Sequence, residues 1–334
     1  MAGDGSNSEA APLVLQTEDL DTEASAWLEA RAQLVRCELV DPAFAVRLPM
    51  AEGLVVRTYT RIDRAMLERA PKLRVVGRAG VGLDNIDVAA CRRRGVAVVH
   101  TPDANTRAVV EFVLACLLDA TRPRVFLEGA LDAGEWKRAR RELIAERELA
   151  GRRLGVYGMG RVGSQVARAA AALDMDVVYH DLREIQPEHR HGATPVSRET
   201  LLETSDVVTV HVDGRSENRG LINADAFARM MDDVLFLNTS RGFVVEAHAL
   251  ASCMIEHPGA QAVLDVHDPE PFGPTYPLLD IENVHLTPHI ASGTRAAKRS
   301  MSWVVRDVWR VLSGEAPRHP APGPDSGPAP GPGS

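Results

Sequence analysis

Residues 148–181 constrain this chain more than any other stretch, because their pattern reads as strand, tight turn, helix and second strand. Leu154, Val156 and Tyr157 suit a buried strand, and the turn Gly158-Met-Gly160-Arg-Val-Gly163 carries three spaced glycines. The Ala-rich run that follows has helix propensity and side chains small enough for close packing. In a dinucleotide-binding unit the first glycine permits the sharp turn, the second lets the backbone approach a pyrophosphate, and the third lets helix and strand close up. The phosphates sit on the positive end of the helix. The second strand, 177–180, ends in Asp181, where a carboxylate accepts the adenosine ribose hydroxyls and repels a 2′-phosphate. The expected cofactor is therefore NAD rather than NADP, with contacts at Gly158, Gly160, Arg161, Val162, Gly163 and Asp181. Arg183 reads as a solvated surface charge.

The rest of the chain alternates strands and helices around this unit. Short apolar runs at 13–15, 34–36, 54–57, 73–77 and 96–99 are separated by helical patterns near 24–32, 64–69 and 88–94. Further strands are expected at 207–212, 234–238, 262–266 and 284–286, and a final helix over 294–312 that returns to pack on the first domain. This alternation predicts parallel sheets with helices on both faces, in two α/β domains of which the second is inserted into the first. The helix at 105–120 is apolar on nearly every side, which places it between domains or between subunits. The charged stretch 137–148 leads from it into the Gly-rich unit.

Composition narrows the function classes. With 334 residues, 45% hydrophobic and 25% charged, the chain is long enough for two cores. A net charge of −8 opposes nonspecific nucleic-acid binding. Cys37, Cys91, Cys116 and Cys253 lack paired spacing and read as free thiols of a reducing compartment. The N-terminal residues lack the basic and apolar regions of a signal peptide, and no apolar run is long enough to span a bilayer, so a cytoplasmic location without a membrane partner is expected. The polar start, 1–12, and the Pro-Gly-rich end, 315–334, are expected to be disordered. His189-x-His191 has no accompanying ligand cluster and predicts no metal site.

Three groups lie on loops after expected strands: Arg241 in Asn238-Thr-Ser-Arg-Gly242, Glu270 in Asp265-Val-His-Asp-Pro-Glu-Pro271, and His289 in Thr287-Pro-His289. In open α/β sheets ligands bind at the carboxyl ends of the strands, so these three are expected on one edge. A guanidinium clamps a carboxylate, and a histidine bonded to a carboxylate is an acid–base group suited to neutral pH. His267 reads as a cleft-lining residue.

Together with Gly77-Arg-Ala-Gly-Val-Gly-Leu-Asp-Asn-Ile-Asp87, Asn105-Thr-Arg-Ala-Val-Val-Glu111 and Arg219-Gly-Leu-Ile-Asn223, these motifs make residues 13–314 resemble the D-isomer-specific 2-hydroxyacid dehydrogenases. The resemblance implies a Rossmann NAD-binding domain at 102–291 inserted into a flavodoxin-like substrate domain at 13–101 and 292–314. It implies hydride transfer between NAD(H) and a 2-hydroxy/2-oxo acid pair. Arg241 would bind the substrate carboxylate, His289 would exchange the proton and Glu270 would be its partner. The backbone amides of Val81 and Gly82 would help hold the carboxylate, while Thr239 and Asp265 would contact the cofactor, Asp265 at the nicotinamide carboxamide. It also implies a homodimer joined through elements near 105–150. Arg57 and Arg78 resemble positions that shape an anionic distal pocket in phosphoglycerate dehydrogenases, which favours a substrate with a second negative group. Asp213 departs from the usual proline. The loop 265–272 also resembles that of the C-terminal-binding-protein corepressors, which leaves an NAD(H)-sensing dimeric binding protein of the same fold as the alternative.

Overall fold

The computed structural model describes residues 11–122, 124–145 and 148–323. Expectations for residues 1–10 and 324–334 lie outside these described residues. The described residues divide into two compact units, one of 11–105 and 293–323, the other centred on 106–292.

The first unit contains five parallel strands, β1 (Leu13–Gln16), β2 (Gln33–Arg36), β3 (Gly53–Val56), β4 (Val75–Arg78) and β5 (Ala97–Val99), in the order β2-β1-β3-β4-β5. β1, β3 and the first three residues of β4 are buried throughout, as strands of a sheet covered on both faces must be. One face packs on a cluster built around Phe44, Leu48, Leu54 and Ile62. The helix Val305–Leu312 covers the other, so closely that a Cβ on Gly77 would fall 2.3 Å from Val308 Cγ2.

That C-terminal helix is not the single rod its pattern predicts. It breaks into Arg295–Ser302 and Val305–Leu312, because the N–H groups of Trp303, Val304, Arg306 and Asp307 bond three residues back rather than four, the tightening that marks a 3₁₀ step. Ser302 sits at the break, its hydroxyl donating to the Lys298 carbonyl and accepting the Asp21 N–H.

Residues 315–323 also differ from expectation. The segment pairs with the edge of the sheet through an antiparallel bridge between Val99 and Pro320, with the Ala321 N–H on the Val98 carbonyl. The buried carboxylate of Asp307 accepts the N–H groups of Arg318 and His319 and lies 3.0 Å from the His319 ring. A Pro-rich segment needs no core of its own when a neighbouring helix satisfies its backbone.

The second unit holds seven parallel strands: β6 (Arg153–Tyr157), β7 (Asp176–His180), β8 (Thr194–Pro195), β9 (Val207–Val210), β10 (Leu235–Asn238), β11 (Gln261–Leu264) and β12 (Val284–Leu286). Their order is β12-β11-β10-β9-β6-β7-β8, with the direction of winding reversing between β6 and β9. Side chains alternate between two cores: on β10, Leu235 and Leu237 enter one cluster and Phe236 the other. Both chain units are thus α/β with doubly wound parallel sheets.

Two helical features carry surprises. The helix Thr106–Thr121 buries Val109, Val110, Val113 and Leu117, packing on the helix Arg161–Ala171, but leaves Leu118 exposed. The stretch after it, charged and without apolar period, forms a helix over Ala133–Glu142 opened by a capping box between Asp132 and Glu135. Around it Phe126, Trp136 and Ile144 stand exposed, Phe126 at 80%. No helix among the described residues is long and apolar enough to cross a membrane.

Candidate functional site

The carboxyl ends of β10, β11 and β12 carry three loops: side chains tie the second to the third, and the first approaches the second at Gly242. After β10, the wholly buried Asn238 organises the loop: its Oδ1 accepts the Ser240 N–H and hydroxyl, and its Nδ2 donates to the Arg241 carbonyl. Arg241 leaves this loop with extended backbone (φ −141°) and its Nη1 on the Ser240 carbonyl at 2.6 Å. Asn238 was not among the residues the motif singles out, although an asparagine that ends a buried strand just before a turn is a recurrent loop staple.

After β11 comes Asp265, 1% exposed. One carboxylate oxygen accepts the Thr287 hydroxyl at 2.6 Å and the Ile290 N–H, the other the Ala291 N–H. Asp265 therefore pins the whole loop that carries His289. Five residues on, Glu270 Oε1 accepts the His267 N–H at 2.7 Å, and Oε2 lies 2.8 Å from His289 Nδ1. Burial pushes the Glu270 carboxyl upward, but the bonds from His289 and the His267 N–H outweigh it and hold the group below the ordinary carboxylate range. His289 itself adopts φ 54°, a left-handed conformation that a non-glycine residue keeps only where its surroundings fix it. Since a carboxylate only accepts, His289 Nδ1 carries a proton, and the ring's Nε2 is the atom left for exchange.

The glycine turn after β6 has the geometry its spacing predicts. Gly158 takes φ 98°, and a Cβ on Gly163 would fall 2.0 Å from the Gly158 carbonyl oxygen. Gly160 caps the helix Arg161–Ala171 without a side chain, and a Cβ built on it meets nothing within 4 Å.

A family model described as "D-isomer specific 2-hydroxyacid dehydrogenase, NAD binding domain" matches residues 114–291. The D-3-phosphoglycerate dehydrogenase of Archaeoglobus fulgidus is 36% identical over 310 residues, 90% of this chain and 57% of that protein. The chain belongs to the D-isomer-specific 2-hydroxyacid dehydrogenase family. It spans little more than half of that archaeal relative, but 78% of the glyoxylate reductase of Aeropyrum pernix, which is 37% identical over 262 residues, 77% of this chain. Among solved structures, the D-lactate dehydrogenase of Aquifex aeolicus complexed with NAD and lactic acid superposes with a TM-score of 0.78 at 26% identity, covering 91% of this chain and 96% of its own.

Residues 114–291 thus carry the family's NAD-binding domain, and the groups present fit that cofactor. The uncapped helix start behind Gly160 suits a pyrophosphate. The hydroxyl of Thr239 is buried with no partner among the described residues, as befits a group kept for a ligand. Asp181 stands at the end of β7 with its Oδ2 on the Met159 N–H at 2.7 Å. Arg183, however, is no solvated surface charge: 23% exposed, it folds back on Asp181 with Nε 3.1 Å from Oδ1 and Nη2 3.3 Å from Oδ2. Burial raises the Asp181 carboxyl and the bonds from Arg183 and Met159 more than offset it, keeping it below its usual range. Asp213 orders the loop after β9, accepting from Arg215 Nε and Asn218 Nδ2.

The remaining sequence candidates belong to the first unit. Arg57 follows β3, with Nη1 on the Asp19 carbonyl at 3.1 Å. Arg78 ends β4 and lies over Gly80, where a Cβ would collide with its Nη1. Val81 turns its carbonyl to His100 Nδ1 at 2.9 Å. The loop 57–60 is gripped by Glu18, whose carboxylate accepts the N–H groups of Arg57, Thr58, Tyr59 and Thr60, a contact across some 40 residues that no local motif announces. Among the described residues no group of three or more His, Cys, Asp or Glu is placed to hold a metal.

Proposed function

We propose that this chain is an NAD-dependent dehydrogenase of D-2-hydroxy acids, reducing a 2-oxo acid with His289 as the proton donor. The observation that carries the reading is the 2.8 Å contact of Glu270 Oε2 with His289 Nδ1, on the carboxyl edge of the family's NAD-binding sheet. NADH, when bound, supplies the hydride for the substrate's carbonyl carbon. Arg241 binds the substrate carboxylate through a charge-assisted bidentate contact and so orients the carbonyl. His289, as imidazolium, gives the proton on Nε2 to the carbonyl oxygen, and takes it back in the oxidative direction. Glu270 fixes the ring's orientation and balances the imidazolium charge, while Arg241 offsets the negative charge that develops on oxygen. Asp265 keeps the His289 loop in place, and its remaining acceptor capacity is the proposed contact with the nicotinamide carboxamide. The N–H groups of Val81 and Gly82 are the proposed further donors to the carboxylate.

Asp181 makes NAD the proposed cofactor in preference to NADP. Arg57 and Arg78 support a substrate with a second anionic group, phosphate or carboxylate, ahead of glyoxylate or hydroxypyruvate. A homodimer is proposed through the helix Thr106–Thr121 and the segment after it, whose apolar side chains Leu118, Val125, Phe126, Leu127 and Ile144 are exposed in the single chain. A reducing, cytoplasmic setting is proposed from the cysteines, all four of which are free thiols.

The test is a screen of 2-oxo acids with NADH. A kcat above about 1 s⁻¹ on at least one of them, within the ordinary enzyme range, supports the enzyme. No turnover on any, together with dimerisation that tightens on adding NADH, supports the corepressor-like alternative.

A further inference from the structure

The loops that carry Arg241, Glu270 and His289 all meet at His267, a residue without a part in the chemistry proposed above. Its backbone N–H donates to Glu270 Oε1. Its ring Nε2 lies 2.9 Å from the carbonyl oxygen of Thr287, and the His289 N–H donates to that same oxygen at 3.0 Å. Gly242, next to Arg241, approaches from the other side, so closely that a Cβ there would fall 1.9 Å from the His267 carbonyl carbon.

The chemistry of the contact fixes where one ring hydrogen sits. A carbonyl only accepts, so Nε2 carries the hydrogen toward Thr287. Nδ1 is buried and has no partner among the described residues, in a side chain 6% exposed overall. The ring also packs edge-on against Phe272 and Tyr276, with centroids 4.7 and 5.6 Å away. Packing alone does not account for a histidine here. A phenylalanine would make the same aromatic contacts without burying an unpaired nitrogen, which is costly. What the histidine adds is the bond to Thr287.

We propose that His267 is a positioning residue for the acid–base pair, an inference that rests on the Glu270–His289 reading. Its backbone holds one oxygen of Glu270 while its ring holds the entry of the His289 loop, so a single rigid residue sets the distance between the two partners. Asp265 anchors the same loop as well, through the Thr287 hydroxyl before His289 and the Ile290 and Ala291 N–H groups after it. Held on both sides by these two residues, His289 keeps a φ of 54° that a non-glycine residue adopts only where its surroundings fix it.

The test uses the full chain with His267→Phe and His267→Gln. Phenylalanine keeps the packing and loses the bond; the glutamine side-chain amide can still donate to the Thr287 carbonyl. Steady-state kinetics on the best 2-oxo acid, NADH affinity and melting temperature are measured for each. His267→Phe is expected to lower kcat about tenfold, as misalignment of a proton donor does, with KM and NADH affinity within about twofold. His267→Gln is expected to recover kcat to within about threefold of wild type, since one neutral hydrogen bond is restored. Wild-type kcat in His267→Phe overturns the inference. Equal losses in both variants, or a KM increase without a kcat change, also overturn it. If His267→Phe does not fold, His267→Met gives the same contrast. Failure of the underlying reading shows separately, as His289→Ala turning over like wild type.

Discussion

Glu18 and Glu270 are both carboxylates that grip a loop by its backbone, and each is held below the ordinary carboxylate range against the upward push of burial. They differ in what is left over. Glu18, in the first unit, spends its oxygens on the N–H groups of Arg57, Thr58, Tyr59 and Thr60. Glu270, in the second, commits one oxygen to the His267 N–H and keeps the other for an imidazole. The same charge-assisted bond serves shape in one region and, in the mechanism proposed here, chemistry in the other, and the discriminator is whether a titratable side chain stands among the partners.

The largest effect is expected on removing the imidazole. His289→Ala is expected to lower kcat by about 10³-fold, within the range for loss of a general acid, with NADH affinity unchanged. Wild-type turnover in that variant would remove the chemical role from the second region. Glu270→Gln keeps an acceptor for the His267 N–H but loses the charge beside the ring. A fall in kcat of about 10²-fold is expected, or roughly 2.7 kcal/mol of transition-state stabilisation, without a comparable loss of melting temperature.

Cofactor choice follows as a tenfold effect. With Asp181 at the end of β7, NADH is expected to be preferred over NADPH by at least about tenfold in kcat/KM, roughly 1.4 kcal/mol. Asp181→Ala releases Arg183 from its present partner and is expected to erase or invert the preference. Equal kinetics with both cofactors in the wild type would reject the assignment.

For Glu18 the expected effect lies in stability rather than rate. Its carboxyl is depressed below the ordinary value of 4.5, so its bonds contribute fully above that value and are lost as pH falls through the folded one. Glu18→Gln should cost about 1–3 kcal/mol at neutral pH, the scale for hydrogen bonds to a charged group, and flatten the acid limb of a stability–pH profile. A kcat loss at unchanged stability would mean that Glu18 is chemical after all. The smallest effect is expected at Arg57. In Arg57→Ala the kcat/KM for 3-phosphohydroxypyruvate should fall by about fivefold relative to hydroxypyruvate, the scale of one exposed charge-assisted contact. Equal changes for both substrates would remove the distal anion pocket.

What was legible in the sequence was what local geometry dictates. Gly158 and Gly163 stand where a side chain would collide with backbone, so their spacing announces the turn directly. Arg241 and Glu270 follow the buried strands β10 and β11, whose apolar runs mark them as parallel and internal, and His289 follows the edge strand β12. Long-range satisfaction of polar groups was not legible. Nothing near residue 18 indicates that its carboxylate receives the 57–60 loop, and nothing in the proline-rich segment after residue 315 indicates that Asp307 will hold it. The Ala133–Glu142 helix has no apolar stripe to betray it, though Asp132 and Glu135 form a capping box that a scan for helix starts would find. Arg183 is unlike the solvated charge its place in the sequence suggests, because Asp181, two residues before it, is its partner.

The claim that Glu270 acts through His289 is tested most directly by a double-mutant cycle on kcat, comparing wild type, Glu270→Gln, His289→Ala and the double variant. If the two form one unit, Glu270→Gln costs about 10²-fold in the wild-type background and less than about twofold once His289 is gone, a coupling of the non-additive kind expected for groups in one catalytic network. If Glu270→Gln costs the same 10²-fold in both backgrounds, the carboxylate works independently of the imidazole, and the 2.8 Å contact between them is not what the chemistry uses.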